Sequence, residues 1–409
     1  WLERAVAASV QAEVRAHTAA SRSTEQVFAL LSGHQVEEAA EAAMESGQGR
    51  LATLVAQAGG SLEMRADLQE QLAVWRSEGV DAEVDTSVRR VYELLAGNVT
   101  HAQMSDARGR PTQTLAMAAG LDWRRALGLH VWYGTAWEAP LAVSLRSYEA
   151  AWRESDSTAA PLPPYQADAQ LGLLRKRELI QRPGAPRDAL FELLMLHVDA
   201  SYPLEHALEP RHFGRSALDH TLPWHLLMYL SRALGVRSLD DATVGERLTT
   251  AYAAQLEASG EWHWAAFVLL HLTDEAVRQR AVQALLTRHV AHLDEHASWL
   301  QTELCLPDTW LWAARATASH AQGDYFAEYE HRLRANDMSG AHAIAVRYLA
   351  AEAFVRGDTQ VLIDLFSPMA EAAEAPVPVP VQGWNDGGRV FLDYAMLPQK
   401  LPTLLAQAR

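Results

Sequence analysis

The sequence holds one cysteine, two lysines and three isoleucines in 409 residues. With Cys305 alone, no intramolecular disulfide can form, and no thiolate-rich zinc or iron–sulfur centre can be assembled. A reducing compartment is therefore expected. Lys176 and Lys400 leave arginine as 33 of the 35 basic side chains, a scattered excess that reads as composition rather than function. Basic groups are also outnumbered, 35 against 51 acidic, for a formal net charge of −16. A nucleic-acid-binding face must neutralise phosphates. The densest basic run, Arg175-Lys176-Arg177, is only three residues long, so direct nucleic-acid binding is not expected. Long apolar runs are missing as well. The most apolar, Ala265 to Leu270, is closed by His271, far short of the ~20 residues of a membrane-spanning helix. Trp1-Leu2-Glu3-Arg4 does not read as the start of a secretory signal. A soluble intracellular protein without a transmembrane segment is the expectation.

What the chain has in quantity is alanine, 72 residues, together with many leucines. Both lead the helix-propensity scale, whereas strands draw on the β-branched residues that are scarce here. Apolar residues make up 49% of the chain, enough for a sizeable core. Helical spacing recurs along it. In Val277–Leu286, Val277, Ala281, Ala284 and Leu285 share one face and Val282 with Leu286 add a second, the pattern of a helix gripped from two sides in a stacked array. Thr273 is the expected N-cap there. Glycines at 33, 47/49, 59–60, 97, 260 and 357 read as closures of short helices. Proline clusters at 161–164, 183/186 and 376–380 read as connectors. Val27-Phe28-Ala29-Leu30-Leu31-Ser32-Gly33 is echoed by Val91-Tyr92-Glu93-Leu94-Leu95-Ala96-Gly97, with no period beyond it. The reading is an all-α, irregular solenoid with no sheet.

The search for reactive groups ends without a catalytic, cofactor or metal site. His289, His292 and His296, with Glu295, have helical spacing, but metal sites of the His-Glu-x-x-His kind place the glutamate between the ligands. A solvated helix face is expected. Asp240-Asp241-Ala242-Thr243-Val244 has the first two acids of the magnesium motif of helical terpene cyclases but lacks the third oxygen ligand. Gly214 precedes Ser216, but no glycine follows at the position a nucleophile elbow requires, and Asp219 with His220 define no triad by proximity in sequence. Cys305, between Leu304 and Leu306, reads as a small core residue. The 13 tryptophans, among them Trp123, Trp132, Trp137, Trp152, Trp262, Trp264, Trp310 and Trp312, read as packing anchors between alanine-rich helices, each indole N–H meeting a carbonyl.

Over residues 204–290 the pattern becomes specific. Leu208-Glu209-Pro210, Leu218-Asp219, Trp224-His225-Leu226, Tyr252-Ala253-Ala254-Gln255-Leu256-Glu257, Trp262-His263-Trp264-Ala265, Phe267-Val268-Leu269-Leu270-His271 and Leu285-Leu286-Thr287-Arg288-His289 follow in order. They resemble the α-helical scaffold nucleoporins of the Y-shaped nuclear pore complex, released from the C-terminal end of an FG-repeat precursor. Residues 31–54, with Gly33, Ala39, Ala43, Gly47 and Leu51-Ala52, are similar to that family too. So are Leu121-Asp122-Trp123-Arg124-Arg125 with His130-Val131-Trp132-Tyr133, and Leu392-Asp393-Tyr394. The resemblance covers nearly the whole chain. Pro223 departs from it, standing where a small hydroxyl residue is usual, and is tolerable if Thr221 caps its helix. The family's blade-forming segment and self-cleavage junction find no counterpart in these residues, and the chain is expected to stop before the family's full tail.

The resemblance implies the ancestral coatomer element, a helical chain folded back on itself. Its parts would be an entry helix at 1–23, a crown at 24–152, a connector at 153–186, a trunk at 187–350 and the start of a tail at 351–409. It further implies a non-enzymatic scaffold at the nuclear envelope, supporting pore assembly, mRNA export and protein import. The implied partners are a WD-repeat β-propeller, a second long α-helical nucleoporin meeting the crown, and other Y-complex subunits through the tail. No single residue is singled out as a partner contact. A vesicle-coat scaffold of the COPII type shares this architecture and is the nearest alternative, with a helical enzyme such as a terpene cyclase a distant one.

Overall fold

A computed structural model describes residues 1–59, 62–167, 182, 184–199, 201–235, 241–374 and 380–407. The basic run at 175–177, Pro183, Asp240 and most of the 376–380 proline cluster lie outside the described residues, so the expectations attached to them lie there too. Two compact units are present, one formed by 1–217 with 225–238, the other by 218–224 with 239–409. Among the described residues nearly all regular structure is helical, and no helix is long and apolar enough to cross a membrane.

The first unit opens with α1 (Leu2–Ala19), which buries only Val6 and Val10, one turn apart. It lies on α2 (Ser23–Leu31), whose apolar second half, Val27, Phe28, Ala29, Leu30 and Leu31, is entirely buried. Then α3 (Val36–Glu45) and α4 (Gly49–Val55) each pack on the helix before, α3 through Ala39, Ala42 and Ala43. These small side chains let backbones approach closely. Gly33 does not close α2 as expected. Its φ is not left-handed, and His34 takes that conformation instead at φ 62°. Gly33 is there for space, because a Cβ would stand 2.8 Å from a Val10 methyl.

Beyond α5 (Leu62–Glu78), α6 (Thr86–Leu95) packs on both α5 and α2 and is capped by Asp85, whose carboxylate accepts the Ser87 N–H at 2.8 Å. The sequence echo has a structural meaning here. Val91, Leu94 and Leu95 are as deeply buried as Val27, Leu30 and Leu31, so the same apolar triplet faces the shared core from two packed helices. Only the closures differ, since Gly97 does adopt the left-handed conformation, at φ 91°.

The expectation of no sheet is corrected at 101–116. There β1 (His101–Ser105) and β2 (Pro111–Ala116) form an antiparallel hairpin, with His101 opposite Ala116 and a register break between Gln103 and Ser105. Its turn is set by Asp106, which accepts the backbone N–H groups of Arg108 and Arg110, each at 2.9 Å. The hairpin is anchored rather than free, since the Ser105 N–H donates to buried Asp81 at 2.7 Å. Its tip rests on the end of α5, where Gly79, at φ 72°, meets the Ala107 carbonyl so closely that a Cβ would lie 2.4 Å from the oxygen. The unit continues through α7 (Trp123–Leu129), a π-helical turn at His130–Gly134, α8 (Leu141–Glu154), α9 (Ala189–Val198) and the single turn α10 (Leu204–Ala207).

In α11 (Thr221–Met228) the helical bonds begin with the Trp224 N–H on the His220 carbonyl, so Thr221 is the first helical residue rather than the cap. Asp219 supplies the capping oxygen, accepting from the Thr221 N–H at 3.2 Å. Pro223 falls among the first four positions, where a missing N–H loses no intrahelical partner.

The second unit then runs through α12 (Asp241–Ala258), α13 (Trp262–Leu269), α14 (Glu275–Arg288), α15 (Leu293–Thr302), α16 (Asp308–Gln322) and α17 (Tyr325–Arg334). It ends with α18 (Met338–Ile344), α19 (Ala350–Arg356), α20 (Thr359–Glu374) and α21 (Gly388–Gln407). Most helices in this run pack on those next to them in sequence, the pattern of an irregular solenoid. Glycines 260, 323 and 357 close α12, α16 and α19 in the left-handed conformation. Two expectations about α14 are corrected. Its cap is Asp274, which accepts the Val277 N–H at 2.8 Å, while Thr273 turns away to donate to Glu246. Only one side is buried, Val282 with Leu285 and Leu286, and Val277 and Ala284 face outward.

Candidate functional site

The three histidines at 289, 292 and 296 do not lie on one helix. His289 ends α14, a 3-10 turn carries His292, and His296 belongs to α15. Their rings part accordingly. His289 stacks on Trp262 with ring centres 5.2 Å apart and bonds Glu257 at 3.0 Å, while His296 stacks on His263 at 4.3 Å. His292 faces outward beside Glu295 at 3.5 Å. The result is an aromatic ladder joining α13 to the helices after it. Asp219, besides capping α11, accepts from the Gln255 side chain at 3.1 Å. Asp240 lies outside the described residues.

Cys305 is not the core residue expected. It is exposed, at φ 53° in the turn after α15, and buried Leu306 follows it. Left-handed backbone at that turn points the thiol outward.

Tryptophans serve mainly as anchors. Trp123, Trp152, Trp224 and Trp262 are buried. Their N–H partners, where bonded, are side-chain oxygens rather than carbonyls: Asp188 for Trp123 and Thr249 for Trp224, each at 3.2 Å. Trp1, Trp264 and Trp137 are exposed instead, Trp137 the most, at 87%. Trp137 lines an open cleft of about 490 Å³ with Leu62, Glu63, Arg65 and Glu138, and Leu62 is itself 66% exposed. A second apolar face lies in the other unit. There Phe354 and Val355 of α19 stand beside Val390, Tyr394 and Leu397 of α21, which recur one and two turns apart. The Phe354 and Tyr394 rings are 4.9 Å apart, and Val355 is 84% exposed. The second face was not legible in the sequence because in a helical stack buried and exposed apolar positions carry the same spacing, and Trp137 lies in a turn, where no spacing reports exposure.

The polar groups that are buried are mostly tied into structural networks. Arg89 is fully buried and bonds the carboxylates of Asp81 and Glu93, and Glu93 in turn accepts from Asn98. Arg125 bonds Ser32 at 2.9 Å and pairs with Glu13, bringing α7 against α1 and α2. Glu13 is buried enough to raise its pKa, but Arg125 and His17 outweigh that and hold it below the usual carboxylate range. A cleft of about 820 Å³ beside the hairpin is lined by Glu13, Phe28, Asp81, Arg90 and Asp106. Its groups are already engaged: Arg90 with the Met117 and Ala119 carbonyls and Asp106 with its own turn. A further group, Glu192, His206 and His212, comes together although no sequence spacing signalled it.

Helices stacked mainly on their sequence neighbours and stapled by buried ion pairs define a protein of the irregular α-solenoid class. The family profile described as Nuclear protein 96 matches residues 25–318. Nuclear pore complex protein Nup98-Nup96 of Drosophila melanogaster is 30% identical over 92% of this chain, which covers 18% of that relative. Nucleoporin nup189 of Schizosaccharomyces pombe is 27% identical over 92%, covering 20% of that relative, and NUP96 of Arabidopsis thaliana 25% over 98%, covering 36%. The chain belongs to the Nuclear protein 96 family of nucleoporins, proteins of the nuclear pore complex. It spans roughly a fifth to a third of the length of these relatives.

Proposed function

We propose that this chain is a non-enzymatic scaffold segment of the Y-shaped nuclear pore coat, supporting pore assembly, mRNA export and protein import by holding other nucleoporins in place. The observation that carries this reading is the pair of exposed apolar faces, Trp137 with Leu62 in one unit and Phe354–Leu397 in the other, each beside a packed core. Large apolar side chains clustered on a surface mark docking sites. Trp137 with Leu62 lies in the segment read as the crown and is the face for a second long α-helical nucleoporin. The Phe354–Leu397 face lies in the segment read as the tail and serves other coat subunits. A WD-repeat β-propeller is the remaining partner, beside the trunk at 187–350.

Support for the pore over a COPII-type coat comes from the family match, since the two share an architecture. The test is affinity purification of the tagged full-length protein, followed by crosslinking mass spectrometry. Recovery with a propeller and a second helical nucleoporin, with crosslinks within reach of Trp137, is the expected result. Recovery as a free monomer, or with vesicle-coat subunits, overturns the reading.

A further inference from the structure

We propose that Glu192, His206 and His212 form a binding site for a divalent transition-metal ion of the zinc class. One ligand atom from each lies within 4.8 Å of the other two, and the His206 and His212 ring centres are 5.4 Å apart. The residues come from three successive elements: Glu192 from α9, His206 from α10, and His212 from the 3-10 turn at Pro210–His212. Two imidazoles and a carboxylate are a donor set that zinc accepts in tetrahedral geometry, with water in the fourth position.

The independent observation is what lies unbonded inside the group. Glu192 and His212 are both almost completely buried, yet Glu192 Oε1 and His212 Nε2 have no hydrogen-bond partner. Leaving such atoms unsatisfied is costly, which is why native interiors rarely do so. Glu192 Oε1 has an ion-pair neighbour, the Arg187 guanidinium at 3.7 Å, which lies equally far from Glu149 and can turn to it when a cation enters. The other carboxylate oxygen, Oε2, is held by the Tyr202 hydroxyl, which donates to it, and by His206 Nδ1 at 3.0 Å. Tyr202 also lies 3.2 Å from His206 Nδ1.

The far side of His212 is held by the Arg187 backbone. Its Nδ1 accepts the Arg187 backbone N–H at 2.9 Å, and the Arg187 carbonyl oxygen lies 3.1 Å away. Ligation through Nε2 moves that nitrogen's proton to Nδ1, which then donates to the Arg187 carbonyl. A backbone carbonyl behind a ring nitrogen is the usual second partner of a metal-bound imidazole. Bonds of about 2.0–2.1 Å require ligand atoms about 3.4 Å apart, so the group contracts by about 1.4 Å at most on binding. His206 supplies that movement, being partly exposed on a single helical turn. The metal would then tie α9 to the 204–212 segment.

The test uses purified, tag-free protein stripped with chelator and titrated with cobalt(II) alone, then with zinc(II). One cobalt per chain with visible d–d absorption, displaced by zinc, is expected. His206→Gln, at the exposed edge of the group, should weaken binding at least tenfold with unchanged far-ultraviolet circular dichroism, and Glu192→Gln should do the same. His292→Gln, in the unrelated trio, should leave binding unchanged. Absence of d–d absorption at saturating cobalt overturns the proposal, as does absorption that survives both His206→Gln and Glu192→Gln.

Discussion

Arg89 illustrates how single residues carry this architecture. Its guanidinium serves two buried carboxylates, Asp81 and Glu93, which in turn hold the hairpin amide of Ser105 and the Asn98 side chain. Replacing Arg89 with methionine leaves both acids buried without their counter-charge, a loss of about 3–5 kcal/mol for a broken buried pair. A marked fall in urea midpoint is the expected readout, and an unchanged midpoint contradicts it. His130 gives a pH-dependent counterpart. Burial pushes its pKa down to about 4 from 6.5, and its Nε2 has no partner while Nδ1 bonds Ser147 at 2.9 Å. The folded state therefore resists protonation that the unfolded state accepts. Its contribution is full above pH 6.5 and is lost as pH falls from 6.5 to about 4, by about 3 kcal/mol in all. Comparing urea midpoints at pH 7 and pH 4.5, the pH-induced loss should be smaller by about 2 kcal/mol in His130→Gln. An equal loss in both proteins refutes the assignment. At this scale little was legible beforehand, because the partners of Arg89 and His130 are chosen by packing. Cys305 shows the same limit, since nothing in Leu304-Cys305-Leu306 announces a left-handed turn.

Elements were more legible than residues, for a local reason. Alanine and leucine favour helix wherever they fall, and glycines 47, 97, 260 and 357 close helices by their own conformational freedom. The hairpin at 101–116 went unread because its strands are five and six residues long, carry few β-branched side chains and bury only scattered positions. It exists through tertiary support from Asp81 and from the end of α5. Gly79→Ala should disturb that support, since a Cβ meets the Ala107 carbonyl and φ is 72°. Amide hydrogen exchange should then accelerate across 101–116 while α2 keeps its protection. Uniform protection in the variant contradicts the docking described. The His289–His296 segment taught the opposite lesson, for helical spacing was present but a 3-10 turn interrupts it. Glu192, His206 and His212, separated by 14 and 6 residues, meet through the folding of three elements and left no periodic trace.

At the scale of the whole molecule, the all-α class and the pore family were accessible from ordered blocks such as Trp262-His263-Trp264-Ala265, and the profile match over 25–318 agrees. Those blocks include buried packing residues such as Trp262 and Ala265, and they do not mark contacts. Contacts depend on exposure, and exposure separates Trp137 from buried Trp123 although both are tryptophans in one region. Trp137→Ala combined with Leu62→Ser should therefore abolish recovery of the proposed helical nucleoporin partner while the melting temperature stays within a few degrees. Undiminished recovery would move that contact elsewhere. The central claim, that this protein works by staying docked, is tested most directly by photobleaching the fluorescently tagged full-length protein at the nuclear rim of living cells. The account predicts a rim signal that does not recover over many minutes. Recovery within seconds, or fluorescence diffuse through the cell, would contradict it.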